Sequence, residues 1–152
     1  MEMKDSITIP ADRELVWRAL NDPEILRQCI PGCEKLEMIS QTELQAQVLL
    51  KIGPIKARFA GDVTLSEFDP PNGYILSGEG KGGVAGMAKG VAHVKLREET
   101  TGQTLLEYEA RVEVGGKIAQ LGARLLDATA TKLTRKFFED FGRIVSDKSD
   151  RH

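Results

Sequence analysis

Residues 78–90 read GEGKGGVAGMAKG, with six glycines in thirteen positions and a GxGxxG at Gly78, Gly80 and Gly83. Such spacing cradles a pyrophosphate when a strand leads into the glycine turn and a helix leaves it, because the helix N-terminus then meets the anion. Here the turn is followed by Val91-Ala92-His93-Val94-Lys95-Leu96-Arg97, whose alternation predicts a strand. A Walker-type loop fails as well, since Lys81 precedes Gly82 and Lys117 precedes Ile118 where the motif needs Ser or Thr. The stretch is therefore not read as a phosphate site.

The other chemically capable residues are sparse. Cys29 and Cys33, in CIPGC, are too few for a disulfide scaffold, and a four-ligand zinc site would have to borrow His93 or distant carboxylates. Both are read as reduced thiols, with no metal. His93 shares the outward phase of Lys95 and Arg97, a solvent-facing position rather than that of a general base, and His152 is terminal. Glu107, Glu109, Arg111 and Glu113 alternate on the outer face of a predicted strand, where charge serves to solvate a sheet. Tyr108 has the opposite phase, so its hydroxyl faces inward, either toward a ligand or toward a backbone partner. No Ser-His-Asp or metal-binding helix pattern is present, and no catalytic residue is assigned.

The elements that would position these residues follow from periodicity. Asp5–Ile9 alternates and breaks at Pro10; Asp12 is placed to cap a helix with Leu15, Val16, Ala19 and Leu20 on its apolar face, and Asp22-Pro23 opens a second short helix that stops before Pro31-Gly32. From Cys33 to Gly115 the period is two. Leu44, Ala46, Val48, Leu50 and Ile52 share one face, as do Ile55, Ala57, Phe59, Gly61, Val63 and Leu65 in the next strand, with Gly53-Pro54 between them. Further strands are expected over about Tyr74–Gly82, Val84–Glu99 and Thr104–Val114, joined by short turns that imply an antiparallel meander. After Gly115-Gly116 the period turns helical, with Leu126, Ala130, Leu133, Phe137, Phe141 and Ile144 in one stripe. The fold class is α+β: one strand, two short helices, six strands and a long helix gripped by a curved antiparallel sheet.

Length and charge agree with one domain, residues 1–152, since 152 residues at 41% hydrophobic content suffice for a single core. A net charge of −2 gives no basic surface for nucleic acid. The charge is uneven, +3 from Gly116 onward and −5 before it, which fits a solvated helix face or a docking or membrane-surface patch. The N-terminus has no apolar h-region and no stretch approaches the ~20 apolar residues of a membrane span. The expected location is cytoplasmic, with a peripheral position at the inner face of the cytoplasmic membrane as the open alternative.

The glycine stretch acquires a different meaning once its phase is followed. Counting back from Val94 and Leu96 puts Gly86, Ala88, Gly90 and Ala92 on the inner face, and counting forward from Tyr74 and Leu76 adds Gly78 and Gly80. Opposite them, IAQLGARLL sets Ala119, Gly122 and Ala123 at the start of the terminal helix. Small residues facing small residues mean either close backbone contact or a cavity. The expected ligand wall is Phe59, Gly61, Leu76, Gly78, Gly86, Ala88, Ala92 and Tyr108 from the sheet, with Ile118, Leu121, Gly122 and Leu125 from the helix.

Four segments, DPEILRQCIPGCEKLE, GPIKARFAGDVTLSEFDPP, YILSGEGKGGVAGMAKGVAHVKL and VGGKIAQLGARLLDATATKL, together resemble the CoxG proteins, the G subunits of carbon monoxide dehydrogenase, within the START and birch-pollen-allergen (SRPBCC) superfamily. The resemblance runs from about Ile7 to Phe141. It implies a helix-grip fold with a hydrophobic ligand cavity between sheet and C-terminal helix, association with a molybdenum hydroxylase of the carbon monoxide dehydrogenase or xanthine dehydrogenase type, and a role in attaching that enzyme to the membrane; no cofactor is expected. Some relatives extend well beyond the domain, whereas this chain ends at His152, so membrane contact is expected from the domain itself or from another protein.

Three functions compete on these readings: a non-enzymatic carrier that holds an apolar molecule and docks on a dehydrogenase, an assembly or recruitment factor working through its surface, and a cyclase- or hydratase-like enzyme. For the carrier, a quinone or similar prenyl lipid is the expected cargo. A hydroxylase that feeds respiration is a soluble electron source, while isoprenoid quinones stay in the bilayer.

Overall fold

A computed structural model describes residues 1–150; His152 lies outside the described residues. The elements are β1 (Glu2–Ile9), α1 (Arg13–Leu20), α2 (Pro23–Cys29), β2 (Cys33–Met38), β3 (Glu43–Ile52), β4 (Ile55–Asp69), β5 (Gly73–Lys81), β6 (Met87–Thr100), β7 (Gln103–Gly115) and α3 (Ala123–Asp150). Short 3-10 segments occupy Gly83–Ala85 and Lys117–Leu121. The seven strands form one antiparallel sheet in the order β1-β7-β6-β5-β4-β3-β2. This is an α+β helix-grip architecture.

Local chemistry explains where the elements stop. Asp22 caps α2, its carboxylate accepting from the Glu24 amide at 3.0 Å, and Pro23 supplies the first helical residue. Asp12 occupies the corresponding position before α1 with an extended backbone, but its side chain makes no capping bond. β1 is longer than the five residues that alternate in sequence, because β7 pairs with it from Glu2 opposite Arg111 to Ile9 opposite Thr104. β6 starts at Met87 rather than Val84. Gly86, with φ 115°, ends the first 3-10 turn in a conformation L side chains rarely adopt, and a Cβ there would overlap the Gly115 carbonyl. Gly116 returns the approach: its Cβ would lie 2.6 Å from the Gly86 Cα. The terminal helix consequently begins at Ala123, after a second 3-10 turn.

The register places the small residues in rows. Directly opposed residues share a face, so Tyr74–Val94–Tyr108, Leu76–Ala92–Ala110, Gly78–Gly90–Val112 and Gly80–Ala88–Val114 cross β5, β6 and β7 on the inner side, with Leu65, Val63 and Gly61 continuing the last three onto β4. Side-chain volume falls along the strands toward the β5–β6 loop. Large side chains gather instead at the two ends of the helix. One core contains Ile9, Val16, Leu20, Ile25, Leu96, Leu106, Phe141 and Val145; the other contains Ile52, Phe59, Ala85 and Ile118. A buried hydroxyl secures the first core: Thr104, fully inaccessible, donates from Oγ1 to the Ala11 carbonyl at 2.7 Å and ties β7 to the approach to α1.

Candidate functional site

Between the two cores a cavity of about 310 Å³ remains under α3. The sheet contributes residues from β2, through Leu76 and Ala92 in the centre, to Tyr108 and Ala110 on β7; Leu20, Asn21, Leu26 and Ile30 close one side from α1 and α2, and Thr134, Phe137 and Phe138 form the α3 wall. The row Leu76–Ala92–Ala110 explains the space, because two alanines stand where the neighbouring row has Val94 and Tyr108. Protein interiors are otherwise packed nearly as densely as organic crystals.

Aromatic side chains stiffen the wall. Phe138 stacks on Tyr108, centroids 5.6 Å apart and planes 18° apart; Phe137 meets Phe138 edge-on and stacks on Phe141. On the far side Tyr74 packs against Trp17 at 5.4 Å and Phe68 at 5.7 Å. The polar side-chain atoms of the lining are those of Asn21 and Thr134 and the hydroxyls of Tyr74 and Tyr108. Burial pushes the Tyr74 phenol up to about 12, and burial followed by the Asp5 carboxylate raises that of Tyr108. Both stay protonated, as donors. Neither hydroxyl has a hydrogen-bond partner among the described residues, so the backbone partner considered for Tyr108 is not the arrangement found.

A groove of about 540 Å³ runs between the β1 edge and α3, lined by Asp5, Thr131, Arg135 and Glu139 among others. It shares Met3, Tyr108, Thr134 and Phe138 with the cavity. The groove thus runs from an open rim of charged residues, past Met3, Ile7, Tyr108 and Phe138, to the edge of an apolar interior.

Of the residues expected on the ligand wall, Leu76, Ala92 and Tyr108 line this cavity. Phe59 and Ile118 are instead buried in the second core, with Leu121 packed on it. Leu125 covers the β3–β4 turn, its Cδ2 2.7 Å from where a Gly53 Cβ would stand. Gly61, Gly78 and Ala88 keep the predicted inner face, in the rows between the cavity and the second core. Gly86 belongs to the backbone contact with Gly115 and Gly116, and Gly122 is exposed before α3. This placement has a physical cause. Ile118, Leu121 and Leu126 close the space at the start of the terminal helix, and the Phe59 ring fills the room beside Gly82, where a Cβ would come within 2.5 Å of it. The space therefore opens farther along α3, where the aromatic ladder holds the helix away. Phe137 was visible in the apolar stripe, but Phe138 was not part of it, and nothing in sequence said that Leu20, Asn21, Leu26 and Ile30 would face the pair.

The remaining candidates lie apart. His93 is exposed on the outer face, opposite Ile75 and Glu109. Arg97 donates to Glu107 at 2.7 Å and Arg111 pairs with Glu2 at 3.1 Å, so the outer charges solvate and pair across strands. Cys29 is buried and its thiol is pushed up to about 11, chiefly by burial and then by Asp140. Cys33 is also raised by burial, and both are free. Among the described residues no group of His, Cys, Asp and Glu is placed to hold a metal ion, and no helix is long and apolar enough to cross a membrane.

Known structures share the architecture. A conserved protein from Geobacillus kaustophilus is 31% identical, with a TM-score of 0.91, 97% of this chain covered and 96% of that one. A START superfamily protein from Mycobacterium smegmatis matches at TM-score 0.70 and 12% identity over 99% and 97% of the two chains. The ZhuI aromatase/cyclase from Streptomyces sp. R1128 matches at 0.71 and 12% over 95% and 93%. At such identities the last two show the fold alone. No curated protein matches significantly. The family model for CoxG, the G subunit of carbon monoxide dehydrogenase, spans residues 6–146, and with nearly the whole chain covered, this protein belongs to the CoxG family.

Proposed function

We propose that the protein is a non-enzymatic accessory protein of a molybdenum hydroxylase of the carbon monoxide dehydrogenase or xanthine dehydrogenase type, carrying a quinone or similar prenyl lipid in its cavity and helping to bring its partner to the membrane. The partner is suggested by the family. The cargo rests on one observation: an apolar cavity of about 310 Å³ whose polar side-chain groups, among the described residues, are an amide, one alcohol and two phenols. That volume is at the small end of the ~300–1,000 Å³ of ligand sites, enough for a ring and the first part of a tail. The rest of a prenyl chain would follow the adjoining groove. Hiding on the order of 200 Å² of apolar surface would contribute about 5 kcal/mol before ordering costs.

Protonated phenols suit this cargo, because a quinone carbonyl accepts hydrogen bonds and cannot donate them. Among the described residues the lining supplies neither carboxylate nor imidazole for general acid–base work, which favours carriage over cyclase-like turnover. Trp17, the single tryptophan, touches Tyr74 of the wall and provides the test. Titration with a short-chain prenyl quinone should quench its fluorescence saturably. Quenching that is only linear in quinone, with no saturation, would leave surface recruitment as the function.

A further inference from the structure

We infer that the end of the molecule formed by the β3–β4 turn, the β5–β6 loop and the segment before α3 docks on a bilayer surface rich in anionic lipid, with Val84 entering the headgroup region. The meander brings these three segments together at one end. Gly86 touches Gly116, and the β3–β4 turn lies under Leu125.

Charge segregates sharply there. Residues 51–56, 81–87 and 115–124 contain Lys51, Lys56, Lys81, Lys117 and Arg124 and no Asp or Glu. All five cations are exposed, and none forms an ion pair among the described residues. The whole chain carries −2, so everything outside this group carries −7. The loops at the opposite end, residues 39–43, 66–73 and 98–103, hold Glu43, Glu67, Asp69, Glu98 and Glu99 and no Lys or Arg. The molecule is thus electrically polar along the strands, and an anionic surface would turn the cationic end toward itself.

Val84 stands at that end with 93% of its surface exposed, beside Ala85, which is buried in the second core. The buried alanine fixes the loop so that its neighbour projects. One projecting valine among long, mobile cations does not make the shaped apolar patch of a stable protein interface, which buries about 800 Å² per partner. A bilayer asks only for complementary charge and an apolar group that can enter it. Lys132 and Lys148 do not share this end: they are ~12 Å and ~36 Å along α3 from Arg124.

The inference deepens the membrane part of the proposed function and rests on it. Sedimentation with phosphatidylcholine vesicles, with and without phosphatidylglycerol, at low and high salt, tests it on the full chain. Binding should need phosphatidylglycerol and weaken in salt. Lys81→Glu with Lys117→Glu should lower it about tenfold or more, Val84→Asp should lower it clearly, and Lys132→Glu with Lys148→Glu, both exposed on α3 and outside the groove and cavity, should leave it within about twofold. Quinone quenching of Trp17, measured without vesicles, should be unchanged in all three, so failure of the docking surface and failure of the carrier reading are read separately. The inference is overturned if the wild type does not sediment with anionic vesicles, if the tip variants bind like it, or if the α3 variant loses as much. Tip variants that bind vesicles normally but lose the partner hydroxylase would make this end a protein interface instead.

Discussion

Tyr108 on β7 and Phe138 on α3 stack face to face across the gap between sheet and helix, and both border the cavity and the groove beside it. The pair stands at the boundary between solvent and apolar interior. Phe138→Ala should therefore speed exchange of a bound quinone while costing less than the ~3–5 kcal/mol of a fully buried phenylalanine, since this ring is only half-buried. Stopped-flow recovery of Trp17 fluorescence and urea unfolding give the two numbers; unchanged exchange would remove the pair from the ligand's path.

Ala92 lies in the middle of the row that creates the space. Ala92→Phe should abolish saturable quenching and cost less stability than the ~1–3 kcal/mol typical of overpacking a filled core. Retained quenching together with severe destabilisation would mean that the space is not where the ligand sits.

Thr104 bears on stability alone. Thr104→Val leaves the Ala11 carbonyl without its buried donor and should cost about 1–3 kcal/mol in urea unfolding, with ligand affinity unchanged. A loss of affinity greater than the loss of stability explains would connect the first core to the cavity.

Alkaline pH should destabilise the fold through its buried acids. Cys29 is raised from 9.0 to about 11 and Tyr74 from 10.0 to about 12. An unfolded chain loses these protons first, so stability is fully present below about pH 9 and declines as pH rises toward 11 and beyond. Cys29→Ala should flatten the lower part of that decline in urea midpoints measured across the range. At neutral pH a thiol reagent should label Cys33, which is half-buried, well before Cys29; equal rates would contradict the burial assigned to Cys29.

His93→Ala should leave quinone quenching unchanged, because the imidazole is on the outer face of β6, away from the cavity. A large loss of binding would reopen the enzymatic reading.

The sheet was legible because period two runs almost unbroken from Leu44 to Val114 and Gly, Pro and Asn mark the turns. The inner face followed from parity: Val94 and Tyr74 fix the phase, and the observed pairing of Leu76 with Ala92 and Gly78 with Gly90 keeps it. Where parity ends, so did the reading. Gly86 sits in a turn with positive φ, and no alternation shows that its backbone would press against Gly115. The cavity lies farther along α3 than most of the expected wall for a related reason, since small residues signal proximity or space without saying which. That choice was made by Phe59, Phe137 and Phe138, whose rings fill one end and prop open the middle. The walls from α1 and α2 depend on how the short helices close over the sheet, a tertiary fact that local pattern does not encode.

The carriage of an apolar ligand between sheet and helix is tested most directly by native mass spectrometry of gently purified protein, wild type and Ala92→Phe side by side, with organic extraction of whatever is bound. We expect the wild type to carry a prenyl quinone or related lipid, or to gain one when it is supplied, and the variant to remain bare under both conditions. A wild type that stays bare in the presence of quinone, or a variant that binds it equally well, would contradict that function.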